Sequence, residues 1–245
     1  MKYYSNMMNQ NQQKFSGYLG AFAMVILLGL SACFNDDQYA QVTPIAYVSF
    51  YHGSPQTENL TITVDNRIYN HQTFEFGSYL DYGNFYTGNR QFSFKPAQAA
   101  NSLLDTALML KPDIAYSVFL TDSEQEVAPL VVQDSLYRPG EGKALLRLVH
   151  LSPDTPTVNL GLHEEDDFLF EELGFGEVTS YQNVTPGNLH LTLKTSAEEE
   201  AVVSASNVSL SAGRIYTLVV RGYQEPGSAN NKSLSLQLIR NYPNF

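Results

Sequence analysis

The 245-residue sequence predicts an all-β fold of two tandem antiparallel β-sandwiches, on three observations. Apolar residues alternate with a period of two, turn formers interrupt them at short intervals, and the whole pattern is written twice. Ile45-Ala-Tyr-Val-Ser-Phe-Tyr-His52-Gly-Ser54-Pro55 returns as Ala144-Leu-Leu-Arg-Leu-Val-His150-Leu-Ser152-Pro153, with His and Ser-Pro displaced by 98. Leu60, Ile62 and Val64 return at the same offset as Val158, Leu160 and Leu162. Phe76-Gly77, Tyr82, Gly88-Asn89 and Lys95 meet Phe175-Gly176, Tyr181, Gly187-Asn188 and Lys194 at 99, and Leu110 and Tyr116 meet Leu210 and Tyr216 at 100. An offset that drifts by two over a whole copy is a tandem duplication.

The elements before the first copy read as an address. Tyr18 to Ala32 is an apolar run of 15 residues behind Lys2 and Lys14, short of the roughly 20 needed to span a bilayer and suited to a secretory h-region. It ends in Leu30-Ser31-Ala32-Cys33, which resembles the lipobox of bacterial lipoproteins. That resemblance implies removal of residues 1–32 and lipidation of Cys33, whose thiolate is the nucleophile that accepts the lipid. Cys33 is the only cysteine, so no internal disulfide or thiolate metal site is available to the chain. Two or more acyl chains anchor stably where one does not. Residues 33–44 are expected to be the lipidated Cys and a flexible tether, and Asp36-Asp37 in it resembles the surface-export signal of some Gram-negative lipoproteins.

The first sandwich is expected over 45–136. It alternates at Leu60, Ile62, Val64 and at Phe92-Ser-Phe94, with breaks at Gly53, Pro55, Asp65-Asn66, Gly83-Asn84, Gly88-Asn89 and Pro112-Asp113. Residues 137–143, with Pro139, Gly140 and Gly142, read as a linker. The second sandwich, over 144–245, repeats the alternation at Leu191-Thr-Leu193 and Leu234-Ser-Leu236-Gln-Leu238. Seven or so strands in about 95 residues suggest the immunoglobulin-like type. The two copies are expected to fold separately and lean end to end.

His150-Leu-Ser-Pro-Asp154-Thr-Pro156, then Leu173-Gly-Phe-Gly176, Pro186-Gly187 and Gly213-Arg-Ile-Tyr216-Thr-Leu-Val, resemble the bacterial domain of unknown function DUF4397, whose members begin "vHaSPdaP" and close on "aGk.YT". The second copy carries this pattern over about 143–224. The first departs from it at Gln56, Glu58 and Asp113, where the acid, the second Pro and the Gly are expected. The resemblance implies a β-sandwich in secreted or lipid-anchored proteins and implies no activity.

Candidate chemistry is sparse. His150, Ser152 and Asp154 are triad residue types, but two-residue spacing along one strand is not triad geometry, and Gln56 replaces the acid beside His52 and Ser54. A structural role survives that replacement. His163 to Asp167 with Glu171-Glu172, and Glu198 to Glu200, are acidic but lack the alternating ligands and turn Gly of a calcium loop, and read as solvated tips. His71 and His190 stand isolated, without metal spacing. Tyr79, Tyr82, Phe85 and Tyr86 around Gly83-Asn84 are the candidate binding patch for a sugar or protein.

Removing residues 1–32 takes away two lysines and no acid, so the formal charge moves from −11 to −13, which repels nucleic-acid phosphates. The expected protein is therefore a lipid-anchored, non-enzymatic envelope module without cofactor or metal, at the outer membrane of a Gram-negative cell. Its expected partners are the membrane and an envelope or extracellular protein or glycan. The alternatives are an accessory carbohydrate- or peptide-binding lipoprotein of an uptake system, and a hydrolase using His150 and Ser152.

Overall fold

The computed structural model describes residues 43–122, 126–163, 167–196, 200–227 and 232–241. Residues 1–32, Cys33 and the tether up to 42 lie outside the described residues, as do Glu164, Glu165, Asp166, Glu198 and Glu199. The first repeat holds β1 (Ile45–His52), β2 (Leu60–Val64), β3 (Arg67–Ile68), β4 (Tyr79–Tyr86), β5 (Gly88–Pro96), β6 (Leu104–Leu110), β7 (Ala115–Asp122) and β8 (Val127–Asp134). The second holds β9 (Ala144–His150), β10 (Val158–Leu162), β11 (Phe168–Leu173), β12 (Gln182–Val184), β13 (Gly187–Thr195), β14 (Ala201–Leu210), β15 (Ile215–Arg221) and β16 (Ser235–Asn241). Among the described residues there is no helix, and so none long and apolar enough to cross a membrane.

Each repeat is a β-sandwich. In the first, sheet β4-β1-β7-β8 covers sheet β3-β2-β5-β6, and in the second, β12-β9-β15-β16 covers β11-β10-β13-β14. The pairings are antiparallel except one per repeat, β1 with β7 and β9 with β15, which are parallel. The chain between each of these partners passes through the opposite sheet, so they meet running the same way. Phe50, Ile62, Phe74, Phe92, Phe94 and Val118 fill the first core, and Leu146, Leu148, Leu160, Leu191, Leu193 and Leu218 the second. Both repeats brace the start of the late strand alike: the Tyr116 hydroxyl accepts from Lys111 N at 3.2 Å and the Tyr216 hydroxyl from Ser211 N at 3.1 Å. Asp113 keeps the left-handed backbone of its counterpart Gly213, with φ of 59° and 73°.

The expected end-to-end arrangement is not found. From residue 44 on the chain forms one compact unit, with the two sandwiches face to face. Tyr51 and Phe119 of the first pack with Val149, Leu151, Val219 and Ile239 of the second in a third apolar cluster between sheets β4-β1-β7-β8 and β12-β9-β15-β16. The body has four layers, and its two inner sheets are covered on both faces. That is why β9, Ala-Leu-Leu-Arg-Leu-Val-His, is buried at every residue: a strand covered on both sides loses the alternation that marks one-sided burial.

The face-to-face packing has two-fold character. Gly53 lies against Leu151, its own counterpart, so closely that a Cβ on Gly53 would stand 2.5 Å from Leu151 Cδ1. A residue that meets its own equivalent lies on a two-fold axis. Four residues back, Arg147 of β9 reaches Ser117, the β7 partner of its counterpart Ser49. β1 and β9 therefore run in the same direction, and both His-x-Ser-Pro loops emerge at one end, opposite Ile45 and Ala144.

Candidate functional site

The His-x-Ser-Pro loops show what the motif does. His52 and His150 are fully buried, and each uses Nε2 on the carbonyl oxygen six residues on, Glu58 O and Pro156 O, at 3.2 Å. The Ser152 amide donates to His150 Nδ1 at 3.3 Å, which leaves Nε2 as the protonated nitrogen of a neutral ring. Burial lowers the pKa of His150 and lowers that of His52 to about 4. Each imidazole thus pins the loop that leaves its strand.

The serines are fully buried as well. Ser152 Oγ donates to Gly222 O and lies 2.6 Å from Thr155 Oγ1. Asp154 accepts the amides of Gln224 and Glu225 at 2.8 and 3.0 Å, tying the loop to the chain beyond β15. In the first repeat Gln56 replaces that acid, and the acid stands on the other partner. Asp122, at the position of Gly222, accepts from Ser54 Oγ and from Gln56 N at 3.1 Å. A base must reach the nucleophile's hydroxyl to activate it. Here neither Ser hydroxyl has an imidazole partner, and both are engaged in loop closure.

A second polar constellation, absent from the sequence reading, lies between the repeats. Arg147, 2% exposed, forms an ion pair with the Asp134 carboxylate. It also donates from Nη2 to Ser117 Oγ at 3.0 Å and from Nε to Thr217 Oγ1 at 2.9 Å. Tyr82 OH and Ser117 Oγ both donate to Asp134 Oδ2 at 2.7 Å, and Thr217 Oγ1 donates to Asn241 Oδ1 at 2.7 Å. The guanidinium carbon stands 4.6 Å from the Tyr181 ring centroid. Burial opposes the charge of Arg147, but Asp134, Tyr181 and Tyr82 overcome it and its pKa is raised. Burial, followed by Asp134, raises the Tyr82 hydroxyl well above its ordinary value, and burial pushes Tyr181 up to about 12. The sequence signal was a lone Arg inside an apolar strand, which demands a buried acid.

The predicted aromatic patch does not assemble. Phe85 points into the first core, Tyr79 packs against the inter-repeat cluster, Tyr82 is held in the Asp134 network, and Tyr86 alone is widely exposed, at 63%. Alternation along β4, with a register shift opposite Val48 and Phe50, divides them between faces. Beside Tyr82 opens a cleft of about 480 Å³, walled by Tyr47, Asn84, Asp113, Asp134 and Leu136. His190 is not isolated: its ring stacks on His163 with centroids 3.9 Å apart. Among the described residues no group of three His, Cys, Asp or Glu is placed to hold a metal ion.

Comparison with protein families matches one, described as "Domain of unknown function (DUF4397)", over residues 46–161 and 164–244. The chain belongs to the DUF4397 family. Two matched segments are consistent with tandem DUF4397 repeats, although the first runs on through β9 and most of β10 and so does not end where the first sandwich ends. No curated protein matches the chain. The loop that carries the family's His-x-Ser-Pro resemblance is, in both repeats, closed by a buried His and a buried Ser, with an Asp that is buried in the first repeat and exposed in the second.

Proposed function

We propose that this DUF4397 protein is a lipid-anchored, non-enzymatic module of the cell envelope, in which a rigid two-repeat body serves adhesion, scaffolding or binding. The observation that carries the reading is the closure of the His-x-Ser-Pro loops. The side chains a hydrolase would use are buried and bonded into the fold, in two repeats that place the acid differently. The lipobox-like Leu30-Ser31-Ala32-Cys33 supports the anchor. The direction of β1 and β9 supports presentation, since their loops gather at the end away from the residue that follows the tether.

Three experiments test this. Cys33→Ala moves the protein out of the membrane fraction; a variant still in that fraction overturns the anchor. Pull-down from native envelopes recovers a specific protein or glycan, and protease accessibility on intact cells reads its surface position; recovery of nothing specific contradicts a binding role. A second reading, capture of a carbohydrate or short peptide, is favoured by the cleft beside Tyr82, whose volume lies in the range of small-molecule sites. Tyr47→Ala then abolishes binding on a glycan or peptide array, and an array blank for the wild type ends that reading.

A further inference from the structure

The polar groups between the repeats come in equivalent pairs. Ser49 answers Arg147 at offset 98, Tyr82 answers Tyr181 at 99, and Ser117 answers Thr217 at 100. Asp134 answers Asn241, since each is the register partner of an equivalent residue, Ala115 in the first repeat and Ile215 in the second. These eight residues surround one axis, and the cross-contacts follow it: Asn241 Nδ2 reaches the Tyr82 hydroxyl at 3.5 Å, and Asp134 is among the charges acting on Tyr181. The charges break the symmetry. The first face offers Asp134 and Ser49, the second Arg147 and Asn241, so one of two equivalent positions across the axis holds an ion pair and the other holds Ser49 and Asn241.

We infer that the two inner faces are halves of one self-complementary pairing surface, and that the Asp134–Arg147 division selects the unlike repeat as its partner. Two first-type faces would bury two carboxylates without a cation, and two second-type faces two guanidinium groups without an acid. Both leave buried charge uncompensated, which is strongly unfavourable. Only a first face against a second face gives each of these two buried charges its counter-charge. The partner for which each surface is shaped is thus the other repeat of this chain, and any engagement with a second copy obeys the same rule, first face to second face. The apolar cluster supplies area without discrimination, because both faces contribute to it.

The rule is tested in the full chain by rewriting faces in place. Arg147→Ser with Asn241→Asp gives both faces the first type, and Ser49→Arg with Asp134→Asn gives both the second type. All four substitutions together exchange the faces and restore an unlike pair at the mirror position. Urea unfolding is expected to rank the wild type first, the exchanged chain next and both like-faced chains well below, unfolded or with midpoints lowered by more than a third. The exchanged chain carries both sets of substitutions, so its recovery separates face matching from general damage. An exchanged chain no more stable than the like-faced chains, or like-faced chains as stable as wild type, overturns the inference.

Discussion

The two repeats close the same loop with the acid on opposite sides of the contact. In the second, Asp154 lies in the loop and accepts amides from Gln224 and Glu225. In the first, the loop offers Gln56 N and Asp122 at the end of β7 accepts it. The fold requires the contact, and not a given residue at one side of it. Gln56 therefore marks an acid relocated to Asp122 rather than the loss of a site. The same division of labour occurs between the repeats, where Asp134 and Arg147 occupy one of two equivalent positions and Ser49 and Asn241 the other.

The largest effect is expected at the interface. Arg147→Leu leaves the Asp134 carboxylate buried beside Tyr82 and Ser117 without its cation, and is expected to lower unfolding free energy by about 3–5 kcal/mol. Urea unfolding measures it, and a loss under about 1 kcal/mol would show the pair to be dispensable.

The buried histidines come next. Burial holds His52 at about 4 against an ordinary 6.5, and lowers His150 in the same direction. As pH falls below 6.5 the unfolded chain takes up a proton that folded His52 refuses until about 4. The contribution is whole above 6.5, fades between 6.5 and 4, and amounts to at most about 3 kcal/mol. His52→Gln should flatten that part of the stability–pH curve relative to wild type; parallel curves would contradict the neutral, buried ring.

The two acids should differ in cost. Asp122 is buried and Asp154 exposed, so Asp122→Ala is expected to destabilise by about 2–3 kcal/mol and Asp154→Ala by about 1 kcal/mol. Equal losses would mean that burial does not distinguish the two closures. The smallest effect is expected at Tyr86→Ser, within about 0.5 kcal/mol, because that ring is largely in water. A larger loss would return Tyr86 to a packed role.

Much of the fold was legible because duplication and alternation are written in single residues. Leu60, Ile62 and Val64 predict a one-sided strand, and β2 is one. The packing of the repeats was not legible, because it depends on which strands are buried twice, and an uninterrupted run such as Ala144 to Val149 states burial without naming the second partner. Arg147 in that run was the residue that named it: a cation that the fold removes from water requires an acid nearby, and Asp134 stands just before the linker in the other repeat. The aromatic patch failed for a related reason. Tyr79, Tyr82, Phe85 and Tyr86 are close in sequence, but a strand distributes neighbours to opposite faces, and a register shift decides which residue goes where. The sequence pointed to a structural role for His-x-Ser-Pro, but the partners of its Ser and Asp, Gly222 and Gln224 in one repeat and Asp122 in the other, stand about 70 positions from the motif and need the fold to be seen.

The two DUF4397 repeats form one body joined through the Asp134–Arg147 network. Hydrogen exchange of the full chain during urea unfolding, followed separately in β1 and β7 and in β9 and β15, tests it most directly. All four strands are expected to lose protection together, in one transition. Loss of β1 and β7 at a urea concentration where β9 and β15 stay protected would contradict it.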